Sequence, residues 1–342
     1  MALFGHKIET TCDNFGALVR ENCLMVDKTL IIKEFLERQK VTLITRPRRF
    51  GKTTTLSMLQ HFLSSEVAGV KTEGLFNDLA IAKVDNGEFL KKHQGQYPVI
   101  FITFKDTKES SYEETINQLY DLVKKLYREH EKSLSSDKIS DSYKETYRKY
   151  LDGSVNVAEL QNAIAFLSEF LFQVYKKNVF ILIDEYDTPL TSAYIYTPKN
   201  ELDSETSFIF RLSDFMRNLF SSALKTNSFL EKGLITGILR VSKNNMLSGL
   251  NNLDIYTVLG NEYAQYFGFT EEETKELLSY KKNTTPLEDI RNYYNGYKIG
   301  GQIIYNPWSF MKFLDKNELA PYWVMTSNHK TIRDHLDRKS TR

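Results

Sequence analysis

The 342-residue chain carries only two cysteines, Cys12 and Cys23. Two thiols without metal-type pairing exclude a disulfide scaffold, and a reducing compartment is the expectation. An excess of one charge sign is also missing. The 45 Lys and Arg residues nearly balance the 44 Asp and Glu, leaving a formal net charge of +1. That removes any global argument for a nucleic-acid surface, though not for a local basic cluster. No apolar run reaches the roughly 18 residues a membrane span needs. Met1 to Lys7 also lacks the apolar core of a signal peptide. A cytoplasmic protein with no membrane contact is therefore expected. The six histidines show no His-x-x-x-His or Cys-paired spacing, which argues against zinc. There is no Gly-x-Ser-x-Gly elbow, and no Gly-x-Gly-x-x-Gly follows the first strand. These absences count against a serine hydrolase and a dinucleotide fold.

Aromatic residues are present in excess, with 22 Phe, 20 Tyr and 2 Trp. Together with only 26% charged residues, they mark a folded, globular chain. The length suits two domains or one domain with a lid. Strands are predicted at 41–45, 97–104, 178–183 and 233–239, separated by helical patterns such as Phe208, Leu212, Phe215, Met216 and Leu219. Strand and helix in alternation imply an α/β fold with a mostly parallel sheet flanked by helices. Residues from about 105 to 165 read as a mainly helical insertion whose Ser133–Asp137 stretch is mobile. Strands are expected to stop after about 255. The expected units are thus 1–254, the core with its insertion, and 255–342, a mainly helical C-terminal lid.

The strand at 41–45 runs into Arg46-Pro47-Arg48-Arg49-Phe50-Gly51-Lys52-Thr53. A strand, a tight turn and a helix opening with Gly-Lys-Thr form a phosphate-binding loop. Backbone N–H groups cradle phosphates, Lys52 reaches the outer ones, and the Thr53 hydroxyl ligates Mg²⁺. The usual first glycine is missing, since position 46 is Arg. A chance Gly-Lys-Thr at a helix start is the plain alternative. The apolar strand at 178–183 then delivers Asp184 and Glu185 at its carboxyl end, where open α/β sheets bind ligands. Asp184 can hold Mg²⁺ and Glu185 can polarise a water for attack on a γ-phosphate. Two solvated acids would be the plain reading of that pair alone; the two motifs together argue against coincidence. No Asn-Lys-x-Asp guanine-reading sequence occurs, which favours adenine. The basic residues Arg46, Arg48, Arg49 and Lys52 are expected to face Asp184 and Glu185 across the site. Glu273-Thr274-Lys275 has nuclease-like E-x-K spacing, but Thr270-x-x-Glu273 reads as a helix capping box.

The combination of the 43–53 loop with Ile183-Asp184-Glu185-Tyr186-Asp187-Thr188-Pro189-Leu190 resembles the bacterial AAA-ATPase-like family. Val26-Asp27-Lys28-Thr29, the segments 236–242 and 249–253, Tyr294-Asn295-Gly296-Tyr297 and Tyr305-Asn306-Pro307-Trp308-Ser309 resemble its other recurring stretches. The resemblance implies a P-loop NTPase fold with an R-P-R-R-F-G-K-[ST] loop, in which Arg46 is the family's own variant. It implies ATP and Mg²⁺ as ligands. Pro47, Arg48, Arg49, Phe50, Gly51, Lys52, Thr53 and Thr54 are the nucleotide-binding candidates, with Thr53 and Asp184 on the metal. Glu185, Lys52 and Arg240 are the catalytic candidates. Thr236, Arg240 and Ser242 compete for γ-phosphate sensing, a structural turn being the other reading. Phe15 is a candidate adenine contact or a core residue. Family members often continue into a nuclease-like domain, so truncation before one is expected, with nucleic acid reached only through it. A homo-oligomer is left open. The implied function is Mg²⁺-dependent ATP hydrolysis driving a conformational change on an unknown target. The alternative is an ATP switch with little turnover that regulates an attached or associated nuclease.

Overall fold

A computed structural model of the chain describes residues 3–239, 250 and 252–322. Five strands lie parallel in one sheet: β1 (Val41–Thr45), β2 (Val99–Thr103), β3 (Val179–Asp184), β4 (Leu230–Gly237) and β5 (Leu253–Tyr256). Their spatial order is β2-β3-β4-β1-β5, so β4 is inserted between the strand ending at the 46–51 loop and the strand ending at Asp184. Side chains alternate across a pleated strand, and here both faces are buried. Val41, Leu43, Ile100, Ile102, Ile181 and Ile183 join one core. Ile44, Val99, Phe180, Leu182 and Leu234 join the other. β3 is buried at all six positions, which explains its uninterrupted apolar sequence.

One face is covered by helix α1 (Lys52–Leu63) with the N-terminal helices Phe15–Arg20 and Leu30–Glu37. The other is covered by α2 (Tyr112–Glu129), α3 (Asp141–Asp152), α4 (Ala163–Tyr175), α5 (Thr188–Tyr196) and α6 (Phe208–Leu224). Many of the aromatics pack here. Tyr127, Tyr147 and Tyr150 are buried against one another and against Phe166 and Phe170. Each buried hydroxyl donates to a backbone carbonyl, those of Ala163, Tyr127 and Glu159 respectively. A tyrosine is thereby tolerated in a core where an unpaired hydroxyl would cost about 1–3 kcal/mol. The Ser-rich stretch carries a 3₁₀ turn over Glu131–Ser135 with Ser133 buried.

The fourth strand differs from expectation at both ends. It begins at Leu230 and stops at Gly237, because the N–H groups of Ile238 and Leu239 leave the ladder for the Asp187 carboxylate. The expectation that strands stop after about 255 is corrected too. β6 (Phe269–Thr270), β7 (Asn295–Ile299) and β8 (Gln302–Tyr305) form an antiparallel sheet in the order β6-β8-β7. The β7–β8 hairpin turns on Gly300 and Gly301, both at positive φ (55° and 82°), as a two-residue primed turn requires. Around this sheet pack α7 (Glu271–Tyr280), α8 (Leu287–Tyr294) and α9 (Pro307–Lys316). Leu24 and Val26, from the start of the chain, belong to the same apolar cluster. No helix among the described residues is long and apolar enough to cross a membrane.

Candidate functional site

β1 continues its parallel pairing one residue past Thr45, with the Arg46 N–H donating to the Gly237 carbonyl (3.1 Å). The chain then turns through two left-handed residues, Arg49 (φ 67°) and Gly51 (φ 77°). Gly51 is free of the Cβ strain such a φ imposes, and it serves as N-cap of α1. It offers no capping side chain, so the free N–H groups of the first helical turn open onto the loop. Lys52 is buried, and its ammonium donates to the carbonyls of Arg46 (3.1 Å) and Pro47 (3.0 Å). Burial pushes the Lys52 pKa down, while Asp184, Glu185 and Asp187 pull it back up.

Asp184, the last residue of β3, is 1% exposed. Both of its oxygens are engaged by threonine hydroxyls: Thr53 on Oδ2 (2.7 Å) and Thr236 on Oδ1 (2.6 Å). Two strand ends and the start of α1 therefore meet at one carboxylate. Thr236 was one of three sensing candidates, and the structure joins it to Asp184. Arg240 and Ser242 lie outside the described residues. Glu185 takes a left-handed φ of 50°, and its Oε2 accepts from the Thr188 hydroxyl at 3.1 Å. Asp187 is the residue that sequence reasoning quoted but gave no role. It is buried, and its Oδ2 receives the N–H groups of Ile238 (3.0 Å) and Leu239 (2.8 Å). Its Oδ1 has no hydrogen-bond partner among the described residues. Burial raises its pKa against those two N–H donors. A Cβ on Gly237 would come within 2.6 Å of both Asp187 Oδ1 and the Tyr186 ring, so only glycine fits there.

The loop's first half behaves differently from the expected basic cluster. Arg46 is fully buried and turned away from Asp184 and Glu185. Its guanidinium donates to the carbonyls of Thr45 (2.9 Å), Tyr256 (3.2 Å) and Glu262 (3.0 Å) and lies over the Phe267 ring. Burial pushes its pKa down to about 10. Arg46 thus ties the loop to the end of β5 and to the segment after it, and the expected four-cation cluster loses Arg46. Arg48 is exposed, and its carbonyl accepts from Asn306 Nδ2 at 3.5 Å. Arg49 is exposed with its guanidinium 4.8 Å from the Trp308 ring centroid. Phe50 is buried edge-on against Tyr297 (4.7 Å) in a small cluster with Ala264, Ile299 and Ile304.

A cavity of about 480 Å³ opens above the loop. Residues 48–55, Glu185, Lys105 and Lys108 are among its lining. Pro47 does not line it; it contributes its carbonyl to Lys52 instead. Apolar side chains line it as well, Leu24, Met25, Phe269 and Met311 among them, and Trp308 joins them beside Arg49. Phe15 reaches the cavity but stacks on Phe76 at 5.1 Å and is 1% exposed, so it is chiefly a core residue. The N-terminal wall is held by Glu9, whose Oε1 accepts from Thr11 Oγ1 and the N–H groups of Thr10, Thr11 and Cys12. The Thr11 hydroxyl and those backbone N–H groups hold the Glu9 pKa at about 2.

The segment 26–29 has a structural account. Asp27 accepts from Thr29 and from the Ala80 N–H, while the Thr29 hydroxyl accepts from Ile81. Lys28, also in the cavity wall, forms a buried ion pair with Glu273 (2.5 Å). Burial lowers the Lys28 pKa and Glu273 opposes the shift. Glu273 closes the capping box with Thr270 on α7, as the spacing suggested. It is spent on a cap and an ion pair, on a helix, which removes the nuclease reading of the E-x-K triplet.

The model of a family described as "Predicted AAA-ATPase" matches residues 10–247, more than half of the chain. An uncharacterized protein in the vnfD 5' region of Azotobacter chroococcum mcd 1 is 25% identical over 320 residues. The match covers 92% of this chain and 52% of that protein, so the chain spans about half the length of this relative. No solved structure matches.

Proposed function

The chain belongs to the AAA-ATPase-like family, and from that premise we propose that it binds ATP with Mg²⁺ at the 46–54 loop and hydrolyses it. The observation that carries this reading is the meeting of Thr53, Asp184 and Thr236 beside Lys52 at the carboxyl edge of a parallel sheet. A helix N-terminus and a buried lysine provide for phosphate, and a cavity of about 480 Å³ with several apolar side chains in its lining provides for a base. The donor set also fits Mg²⁺. A hydroxyl and a carboxylate 2.7 Å apart are hard oxygen ligands, suited to an ion that shares its coordination with phosphates and water. No group of three or more His, Cys, Asp or Glu side chains that could cage a metal occurs among the described residues. When bound, Mg²⁺ supplies positive charge to the phosphate oxygens.

In this reading Lys52 exchanges the carbonyls of Arg46 and Pro47 for phosphate oxygens. Glu185 exchanges the Thr188 hydroxyl for the attacking water, which it orients toward the terminal phosphorus. Thr236 holds the Asp184 carboxylate in position. Asp187 anchors residues 238–239, which lead directly to Arg240. Residues 257–322 act as the lid, lining the cavity through α9 and β6.

Phosphate release by the wild type and by Glu185→Gln tests the reading. Hydrolysis through Glu185 requires a rate loss of roughly 100-fold or more, the usual scale for removing one catalytic group, with ATP affinity retained. Equal rates would sink the enzyme and leave an ATP-dependent switch with little turnover.

A further inference from the structure

Arg48, Arg49 and Phe50 form the half of the loop that chemistry at Asp184 does not use, and all three contact residues C-terminal to 290. The Arg48 carbonyl meets Asn306, Arg49 covers Trp308, and Phe50 packs on Tyr297. Asn306 is the N-cap of α9, its side chain accepting from the Ser309 N–H. The first turn of α9 is therefore docked on the loop through one cap residue and one indole. The Phe50 contact is rigid. Gly268 (φ 94°) has no room for a Cβ, which would fall 2.2 Å from Ile304 and 3.0 Å from the Phe50 ring. The Arg49 contact is different, since Arg49 is exposed and both it and Trp308 line the cavity.

A guanidinium beside a ring is held by the ring's quadrupole, whereas a phosphate offers it charge-assisted, bidentate hydrogen bonds. The second interaction is the stronger. An anion entering the cavity at Gly51–Thr53 arrives within two residues of Arg49 along the chain. We propose that the nucleotide's phosphates and the Trp308 indole compete for the Arg49 guanidinium, so that filling the phosphate site releases α9 from the loop. This rests on the ATP-site reading above and adds its regulation. Phe50 keeps the loop fixed to the small sheet while Arg49 changes partners, so the change is transmitted to α9 alone. By linkage, the contact with Trp308 must in turn weaken ATP binding.

The test uses the full chain carrying Trp323→Phe, which leaves Trp308 as its one tryptophan. Binding of ATP with Mg²⁺ is measured first by calorimetry, with Lys52→Ala as the control, and Trp308 emission is then followed at saturation. The exchange predicts an emission change with ATP and none with saturating AMP. In Arg49→Ala the nucleotide-free emission already lies at the ATP-bound level, and ATP leaves it unchanged. Trp308→Leu tightens ATP binding by roughly two- to fivefold, the scale of an exposed cation–π contact. A structural or base-stacking role for Trp308 would instead weaken binding. Unchanged emission in the ATP-saturated Trp323→Phe chain, or weaker binding by Trp308→Leu, overturns the exchange and leaves the ATP site standing. No ATP binding by the wild type overturns the site reading, and the exchange falls with it.

Discussion

One loop of eight residues faces two surroundings, and it serves them with different chemistry. Toward the sheet, Gly51, Lys52 and Thr53 present backbone N–H groups, an ammonium and a hydroxyl, and their partners are oxygens of the loop and of Asp184. Toward the C-terminal residues, Arg46, Arg49 and Phe50 present guanidinium faces and a ring, and their partners are carbonyls, Trp308 and Tyr297. In the proposed reading, Arg46 in place of a usual first glycine takes nothing from the phosphate side, because its guanidinium is spent on the carbonyls of Thr45, Tyr256 and Glu262. The contrast teaches that the loop is a structural joint and, in the reading proposed above, a ligand cradle as well. Its two functions are separable residue by residue.

The largest expected effect breaks the joint. Phe50→Ala removes a fully buried ring from a cluster with little capacity to collapse, and about 3–5 kcal/mol of stability should be lost. Denaturant unfolding followed by far-UV signal measures this; a loss below about 1 kcal/mol would show that the loop and the small sheet are not packed as one unit. Next in size is the cradle. Lys52→Ala should weaken ATP binding roughly 100-fold while barely altering stability, since it also removes a buried, desolvated charge. Unimpaired binding in calorimetry would remove Lys52 from the phosphate site.

The residues of the proposed phosphate side could be read as candidates from the sequence, because that chemistry demands particular residue types at fixed spacing. Gly51, Lys52, Thr53, Asp184 and Glu185 could all be named from their order after two strands. The joint was not legible. Arg46 looked like one cation among four, since nothing local indicates that its partners are carbonyls at 256 and 262. Asp187 was hidden for the same reason: its partners are backbone N–H groups 51 and 52 residues away. The parallel strands were readable from runs such as Val179–Ile183, which are apolar because both faces are covered. The small antiparallel sheet was not, because β6 has two residues and β7 opens with Asn295-Gly296, a composition that reads as a turn. The 1–254 and 255–342 division missed that Leu24, Val26 and Lys28 pack with residues beyond 264. Sequence position gives no sign of such a return.

Arg46→Gly sharpens the comparison at an intermediate scale. It restores the small residue common at a loop's first position, yet it deletes the donors to Thr45, Tyr256 and Glu262 and leaves a void against Phe267. A loss of about 1–3 kcal/mol is expected, from buried carbonyls left without partners. ATP affinity should fall only by as much as the loop loosens. If Arg46→Gly bound ATP more tightly at unchanged stability, Arg46 would belong to the cradle and the division of the loop would be wrong.

The smallest effect concerns the C-terminal side alone. Glu271, in the first turn of α7, receives Arg291 through Nε (2.9 Å) and a terminal nitrogen (2.7 Å), with Lys275 at 3.1 Å. The Arg291 bonds come first among the causes that hold its carboxyl down at about 2, against an ordinary 4.5. A carboxylate held below its unfolded value contributes stability above pH 4.5 and loses it as the pH falls through 4.5 toward 2. The pair is partly solvated, so screening reduces what it contributes. Glu271→Gln should therefore unfold at slightly lower urea than wild type at pH 7, and the two midpoints should converge as the pH is lowered past 4.5. Midpoints of Glu271→Gln and wild type that stayed equally far apart in acid would show that the tie between α7 and α8 depends on shape and packing, with the charge incidental.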